Sequence, residues 1–211
     1  PVDPPPAVVT EVLRTTDARA YPPSIGTEQL RRAASGWLRR RFDVDVDPAH
    51  VAATIGSKEL VAGLPHWLRL RGDRPGRDTV LHPAVAYPTY AMGARLAGCR
   101  AVAVPPTPTG ALDLAAIDPA DADRALCLWS NSPANPTGAL DDLAAAARWG
   151  RERGVPVLSD ECYAELTWDG PPRTILSEGL PGVLAVHSLS KRSNLAGLRV
   201  GFYAGDPDLV A

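Results

Sequence analysis

Two strongly apolar runs, Ala125-Leu126-Cys127-Leu128-Trp129-Ser130 and Val155-Pro156-Val157-Leu158-Ser159, enclose a helical pattern from Asp141 to Arg153. Both runs are short and apolar at consecutive positions, the signature of strands covered on both faces. A strand, a helix and a second strand of this kind form the unit from which parallel sheets are built. The same order continues outward. Upstream, His50 to Ile55 leads through Gly56-Ser57-Lys58 into a predicted helix reaching Leu68, Thr79 to His82 precedes a helix from about Pro88 to Ala97, and Arg100 to Val104 reads as a strand. Downstream, Val183 to Ser188 and Leu198 to Ala204 complete the set. The expected fold is therefore α/β, a three-layer α/β/α arrangement around a mainly parallel sheet.

Ahead of this series, Thr27 to Phe42 places Leu30, Ala33, Ala34, Trp37 and Leu38 at i, i+3, i+4, i+7 and i+8, with arginines on the opposite face. That stripe is a core face. Ala7 to Thr15 carries weaker helical periodicity, and Tyr21-Pro22-Pro23-Ser24-Ile25-Gly26 reads as a turn-rich loop. Residues 1–26 are thus expected to lead into one large domain, 27–211. Apolar residues make up 45% and charged residues 22%, which excludes a disordered or fibrous chain. A net charge of −2 advertises no polyanion-binding surface, so nucleic acid is not an expected partner. No run approaches the ~18 apolar residues of a membrane span, and the N-terminus lacks the order of a signal peptide. The expectation is a soluble, cytoplasmic protein without membrane contact. Cys99, Cys127 and Cys162 stand far apart and form no CxxC pair, so they are expected to be reduced core thiols rather than disulfides or metal ligands. The start at Pro1 and the capped helix start at Asp206-Pro207 lead us to expect a piece of a longer chain.

Of the 22 basic residues only Lys58 and Lys191 are lysines, and asparagine is confined to Asn131, Asn135 and Asn194. Against an arginine-rich background, a retained amine marks a position where arginine does not serve. In doubly wound sheets ligands bind beyond the carboxyl ends of the strands. Gly56-Ser57-Lys58, Tyr87, Asn135, Asp160 and Lys191 all fall at or just after predicted strand ends. The Gly56-Ser57-Lys58 turn offers backbone N–H groups, a helix N-terminus and a hydroxyl, which favour a phosphate, although alone it also reads as an ordinary strand-to-helix turn. Asn135-Pro136-Thr137 is no glycosylation acceptor, because proline fills the middle position. Asp160, taken alone, reads more readily as a helix cap or a surface charge.

The segment Ser188-Leu189-Ser190-Lys191, continuing through Arg199, joins Asn135-Pro136-Thr137-Gly138, Asp160-x-x-Tyr163 and Tyr87-Pro88-x-Tyr90 in order and spacing. Together they closely resemble the class I/II aminotransferases, pyridoxal phosphate enzymes of fold-type I, over essentially all 211 residues. The resemblance implies the large cofactor-binding domain of such an enzyme, with pyridoxal 5'-phosphate as cofactor and no metal. It gives Lys191 the internal Schiff base and the subsequent proton transfer between the substrate α-carbon and the cofactor's C4′. A dry, cationic setting is expected to favour deprotonation of that amine. Asp160 is implied as the partner of the pyridine nitrogen, Asn135 and Tyr163 as partners of the phenolic oxygen, and Tyr87 as the aromatic stacked on the ring. Gly56, Ser57 and Lys58 correspond to the phosphate loop, Lys58 through its backbone, with Ser188 and Arg199 adding a hydroxyl and a bidentate cation. Tyr21 corresponds to a tyrosine that reaches the phosphate held by a partner subunit, so a homodimer is implied. Of the histidines, His187 is expected to pack behind the lysine loop, and His50, His66 and His82 carry no argument.

Residues 55–60, 159–166 and 187–197 look most like actinobacterial-type N-succinyldiaminopimelate aminotransferases. That similarity implies exchange of an amino group between N-succinyl-LL-2,6-diaminopimelate and 2-oxoglutarate in lysine biosynthesis. Family members also carry a C-terminal small domain whose arginine grips the substrate carboxylate; without it the 211 residues are expected to keep a cofactor pocket and to turn over poorly. Two alternatives share these residues. One is another fold-type I enzyme, a different amino acid aminotransferase or a C–S lyase releasing pyruvate and ammonia. The other is a non-catalytic, cofactor-binding regulatory module.

Overall fold

The apolar runs pair into one seven-stranded sheet in the computed structural model, which describes residues 5–15, 19–168 and 170–211. The strands are β1 (Val51–Thr54), β2 (Thr79–Pro83), β3 (Arg100–Val104), β4 (Ala125–Asn131), β5 (Val157–Asp160), β6 (Val183–Ser188) and β7 (Gly201–Gly205). Their order is β1-β7-β6-β5-β4-β2-β3. Pairs β2–β3, β2–β4, β4–β5 and β5–β6 are parallel, whereas β7 runs antiparallel to both β6 and β1.

The helices are α1 (Ala7–Thr15), α2 (Glu28–Phe42), α3 (Ser57–Leu70), α4 (Thr89–Leu96), α5 (Pro119–Asp123), α6 (Leu143–Arg153), α7 (Leu189–Arg192) and α8 (Pro207–Val210). Successive strand side chains point to opposite faces, so neighbours in the apolar runs serve different cores. Leu128 and Val157 pack with Trp37 and Leu38 of α2 and Trp149 of α6, while Trp129 and Leu158 pack with Leu60 and Leu64 of α3 and Tyr90 of α4. The sheet is therefore sandwiched between helices, as consecutive apolar positions require. Thr27 caps α2 by accepting from the N–H of Leu30 (3.2 Å), and Asp142 caps α6 by accepting from that of Ala145 (2.9 Å). Asp206 caps α8 in the same way, at 2.8 Å from the N–H of Asp208. Among the described residues no helix is long and apolar enough to cross a membrane.

Two strand starts move by two residues or more from the sequence reading. β5 starts at Val157 rather than Val155, because the N–H of Val155 closes the end of α6 on the carbonyl of Gly150 (2.8 Å). The last strand starts at Gly201 rather than Leu198. Ala196–Leu198 form a 3-10 turn and Arg199 takes a left-handed conformation at φ 53°, which reverses the chain before β7. Gly201 is required there, since a Cβ would lie 2.5 Å from the carbonyl of His187 and 2.7 Å from Oγ1 of Thr54.

Candidate active site

The carboxyl ends of β1, β4, β5 and β6 lie at one edge of the sheet, and the reversal of β7 brings Arg199, at its start, to that same edge. The loops there enclose a cavity of about 300 Å³. Ser57, Lys58, Tyr87, Asn135, Asp160, Tyr163, Ser188, Lys191 and Arg199 all line it. Nine residues spread from position 57 to position 199 thus converge, among them Ser57, Lys58, Tyr87, Asn135, Asp160 and Lys191 of the strand-end argument.

Asp160 closes β5 at the floor of the cavity. Its Oδ2 accepts from Oη of Tyr90 (2.9 Å) and its Oδ1 from the N–H of Cys162 (3.2 Å). Burial pushes the Asp160 carboxyl above its ordinary pKa, and these hydrogen bonds offset that only partly. Asp160 forms no ion pair among the described residues. On one wall, Nδ2 of Asn135 donates to Oη of Tyr163 at 3.2 Å. Burial raises the Tyr163 phenol, and the bond from Asn135 works against that.

At the other end, Gly56 has φ +72°, and a Cβ there would collide with the Arg199 guanidinium. Glycine at this position lets the arginine lie against the turn that starts α3. Arg199 Nη1 also donates to the carbonyl of Ala196 (3.0 Å) and lies 3.5 Å from Oγ of Ser190. Ser188 caps α7 by accepting from the N–H of Ser190 (3.1 Å), which fixes the turn that presents Lys191. Nζ of Lys191 lies 6.0 Å from the Tyr163 ring centroid, and Nζ of Lys58 lies 5.7 Å from that of Tyr87. The Lys58 side chain therefore belongs to the cavity wall, in addition to the backbone role expected of it. Lys191 is exposed, not enclosed in a dry site, because the loop that carries it forms the open rim.

Tyr21 does not line this cavity and is fully exposed. Sequence reasoning missed four contributors. Tyr90 was visible in the Tyr-Pro-x-Tyr spacing but had no role until its bond to Asp160. Asn131 braces two loops, donating from Nδ2 to the carbonyl of Asp160 (2.9 Å) and accepting at Oδ1 from the N–H of Asn135 (2.8 Å). Cys162 is a buried free thiol, as expected of a core cysteine, yet it also lines the cavity and donates to Oγ of Ser57 at 3.0 Å. Ser190 adds a hydroxyl near Arg199, for which the Ser-x-Ser-Lys pattern was the available signal.

All 211 residues match the sequence profile described as aminotransferase class I and II. Among curated relatives, the 4-dedimethylamino-4-oxo-anhydrotetracycline transaminase OxyQ of Streptomyces rimosus is 44% identical over the whole chain, which spans 57% of that protein. An LL-diaminopimelate aminotransferase of Aquifex aeolicus is 38% identical over 95% of the chain and 53% of its own length. The solved N-succinyldiaminopimelate aminotransferase of Mycobacterium tuberculosis superposes with a TM-score of 0.83 at 31% identity, covering 95% of this chain and 53% of that one. The chain thus spans little more than half the length of these relatives, and over that span it belongs to the class I and II aminotransferases, a pyridoxal phosphate-dependent family.

Proposed function

We propose that the strand-end cavity is the cofactor site of an aminotransferase and that Lys191 is its reactive amine. The observation that carries this reading is Asp160, a half-buried carboxylate with no cationic partner among the described residues, facing a cavity that also holds a lysine. A protonated pyridine nitrogen is the complement such a carboxylate lacks. Pyridoxal phosphate, when bound, supplies an aldehyde and an electron-withdrawing ring. Asn135 and Tyr163 offer an N–H and an O–H to a phenolic oxygen, and Tyr87 offers a flat face. Ser57, Ser188, Ser190, Arg199 and the open backbone at Gly56 form an anion cradle at the far end. Lys191, on the rim, is the base within reach of a substrate α-carbon proton.

For the substrate, we propose N-succinyl-LL-2,6-diaminopimelate with 2-oxoglutarate as acceptor, in a cytoplasmic homodimer whose Tyr21 reaches the partner subunit's site. The likeness to the Mycobacterium tuberculosis structure supports the substrate, and the full exposure of Tyr21 leaves it available for such a reach. A second reading is a bulky cyclic oxo substrate. A cavity of about 480 Å³ with Trp168 and Arg173 on its wall shares Asn135 and Tyr163 with the cofactor site, and OxyQ is named for an oxo-anhydrotetracycline.

Mixing the protein with pyridoxal phosphate, reducing with borohydride and mapping the peptides tests the site. An adduct on Lys191 is expected, and one spread to Lys58 or the N-terminus overturns the assignment. Amino donors and oxo acceptors are then compared by their products: glutamate from the succinylated donor and 2-oxoglutarate supports the first substrate reading. Pyruvate with ammonia from a cysteine conjugate favours a lyase instead.

A further inference from the structure

Directly behind the cavity, Glu161 and His187 face each other in a part of the core that the proposed chemistry leaves unused. Both side chains are withdrawn from solvent, with Oε2 of Glu161 3.4 Å from Nε2 of His187. Neither atom has a hydrogen-bond partner of standard geometry among the described residues, the contact between the two included. Oε1 of Glu161 accepts from the N–H of Ile175 at 2.8 Å. The imidazole is enclosed by Trp37 and Phe202, both with ring centroids 5.0 Å away, and by Phe42 at 6.0 Å.

The pair stands between the two functional strand ends. Glu161 follows Asp160, and its N–H donates to the carbonyl of Val186 in β6 (2.9 Å). His187 precedes Ser188, whose hydroxyl caps the turn carrying Lys191. Two separated charges in an aromatic enclosure carry a large desolvation penalty, whereas a neutral hydrogen-bonded acid and base do not.

We infer that Glu161 and His187 form a neutral unit in which Oε2–H of Glu161 donates to Nε2 of His187, and that this unit is a positioning element fixing Asp160 against the Lys191 turn. The inference rests on the reading of Asp160 and Lys191 as cofactor-holding residues. The directions of titration agree with it: burial pushes the Glu161 carboxyl up and the His187 imidazole down. The backbone carbonyl of Glu161, meeting the imidazole, only moderates the latter. The charged and polar groups facing the pair are few. Asp160 and Ser159 come from β5, Thr174 from the segment before Ile175, and Arg192 from α7, while α2 and β7 contribute aromatic rings. Arg192, whose charge also disfavours an imidazolium at His187, lies over the Trp37 ring at 4.3 Å and is 4.0 Å from Glu165. With the pair neutral, Asp160 is the carboxylate whose charge acts on the cavity.

Glu161→Gln tests the proton. Its amide oxygen keeps the bond from Ile175 and its NH₂ donates to Nε2, so it mimics the acid and not the carboxylate. Infrared spectra of the full chain are expected to contain a protonated carboxyl band that Glu161→Gln removes. The pH titration of the bound cofactor's absorbance is expected to superimpose for wild type and Glu161→Gln. Under the same conditions His187→Phe moves its midpoint by about one pH unit, a tenfold change in the equilibrium. A wild-type spectrum without that band, or a His187→Phe titration that coincides with wild type, overturns the inference. A wild-type chain that takes up no cofactor at Lys191 instead removes the functional reading beneath it, and the infrared band still decides the proton.

Discussion

Tyr90 shows how much a single hydroxyl contributes at the residue scale. Its ring fills the core beside Trp129, at 5.3 Å between centroids, while its Oη donates to Asp160. Tyr90→Phe keeps the packing and deletes a hydrogen bond to a charged group, which is worth about 1.5–3 kcal/mol. Asp160, already raised by burial, then rises further and holds a cationic ring less well. The expected result is a dissociation constant for pyridoxal phosphate roughly tenfold weaker or more, measured by equilibrium dialysis, together with a lower melting temperature; an unchanged constant would remove Tyr90 from the account. Lys191, Asp160 and the Asn135–Tyr163 pair were legible in the sequence because their residue types and spacings are rare together. The bonds from Tyr90 to Asp160 and from Cys162 to Ser57 were not. Each joins distant positions, and nothing local in a tyrosine or a cysteine announces a buried partner.

Two helices set the width of the cavity at the element scale. α3 begins at Ser57 and α4 follows Tyr87-Pro88, so the distance between these helices fixes the separation of the two walls. They approach closely at Gly93, where a Cβ would stand 2.9 Å from the backbone carbonyls of Val61 and Ala62. Gly93→Ala forces the helices apart and is expected to cost about 1–3 kcal/mol, the usual range for overpacking. Urea unfolding reads that loss. Weaker retention of pyridoxal phosphate is expected with it, and a variant as stable as wild type would contradict the close contact. The seven strands and the helices α2, α3, α4 and α6 were readable from apolar period and turn residues, whereas the short α5 and α7 were not. The boundaries at Val157 and Gly201 were not, because they depend on where α6 closes and where the chain must reverse before an antiparallel strand.

Over the whole molecule, the Glu161–His187 pair predicts an unusual dependence of stability on pH. Glu161 is raised from 4.5 to about 7, so its contribution is full below pH 4.5 and lost as pH rises through about 7. His187 is lowered from 6.5 to about 3, so its contribution is full above pH 6.5 and lost as pH falls through about 3. Between about pH 4.5 and 6.5 the folded pair and the unfolded pair hold the same number of protons. Subtracting the stability of a Glu161→Gln/His187→Phe double variant from that of wild type, at a series of pH values in urea, is expected to give a plateau across that window. The difference should fall on both sides, and a steady slope through the window would refute the prediction. At this scale the layered parallel architecture was legible, since consecutive apolar residues can only be satisfied from two faces. The strand order was not, for it is decided by pairings between distant segments.

One such pairing constrains the order of events during synthesis. Among the described residues β1 bonds within the sheet only to β7, Val51 lying opposite Ala204, and that pairing sets Arg199 beside the Gly56 turn. A nascent chain released from the ribosome as far as α7 therefore holds a lysine and an aspartate at adjacent strand ends but no finished anion cradle. Capture of the vitamin-derived cofactor is on this account a late event, a response to a completed sheet rather than a template for it.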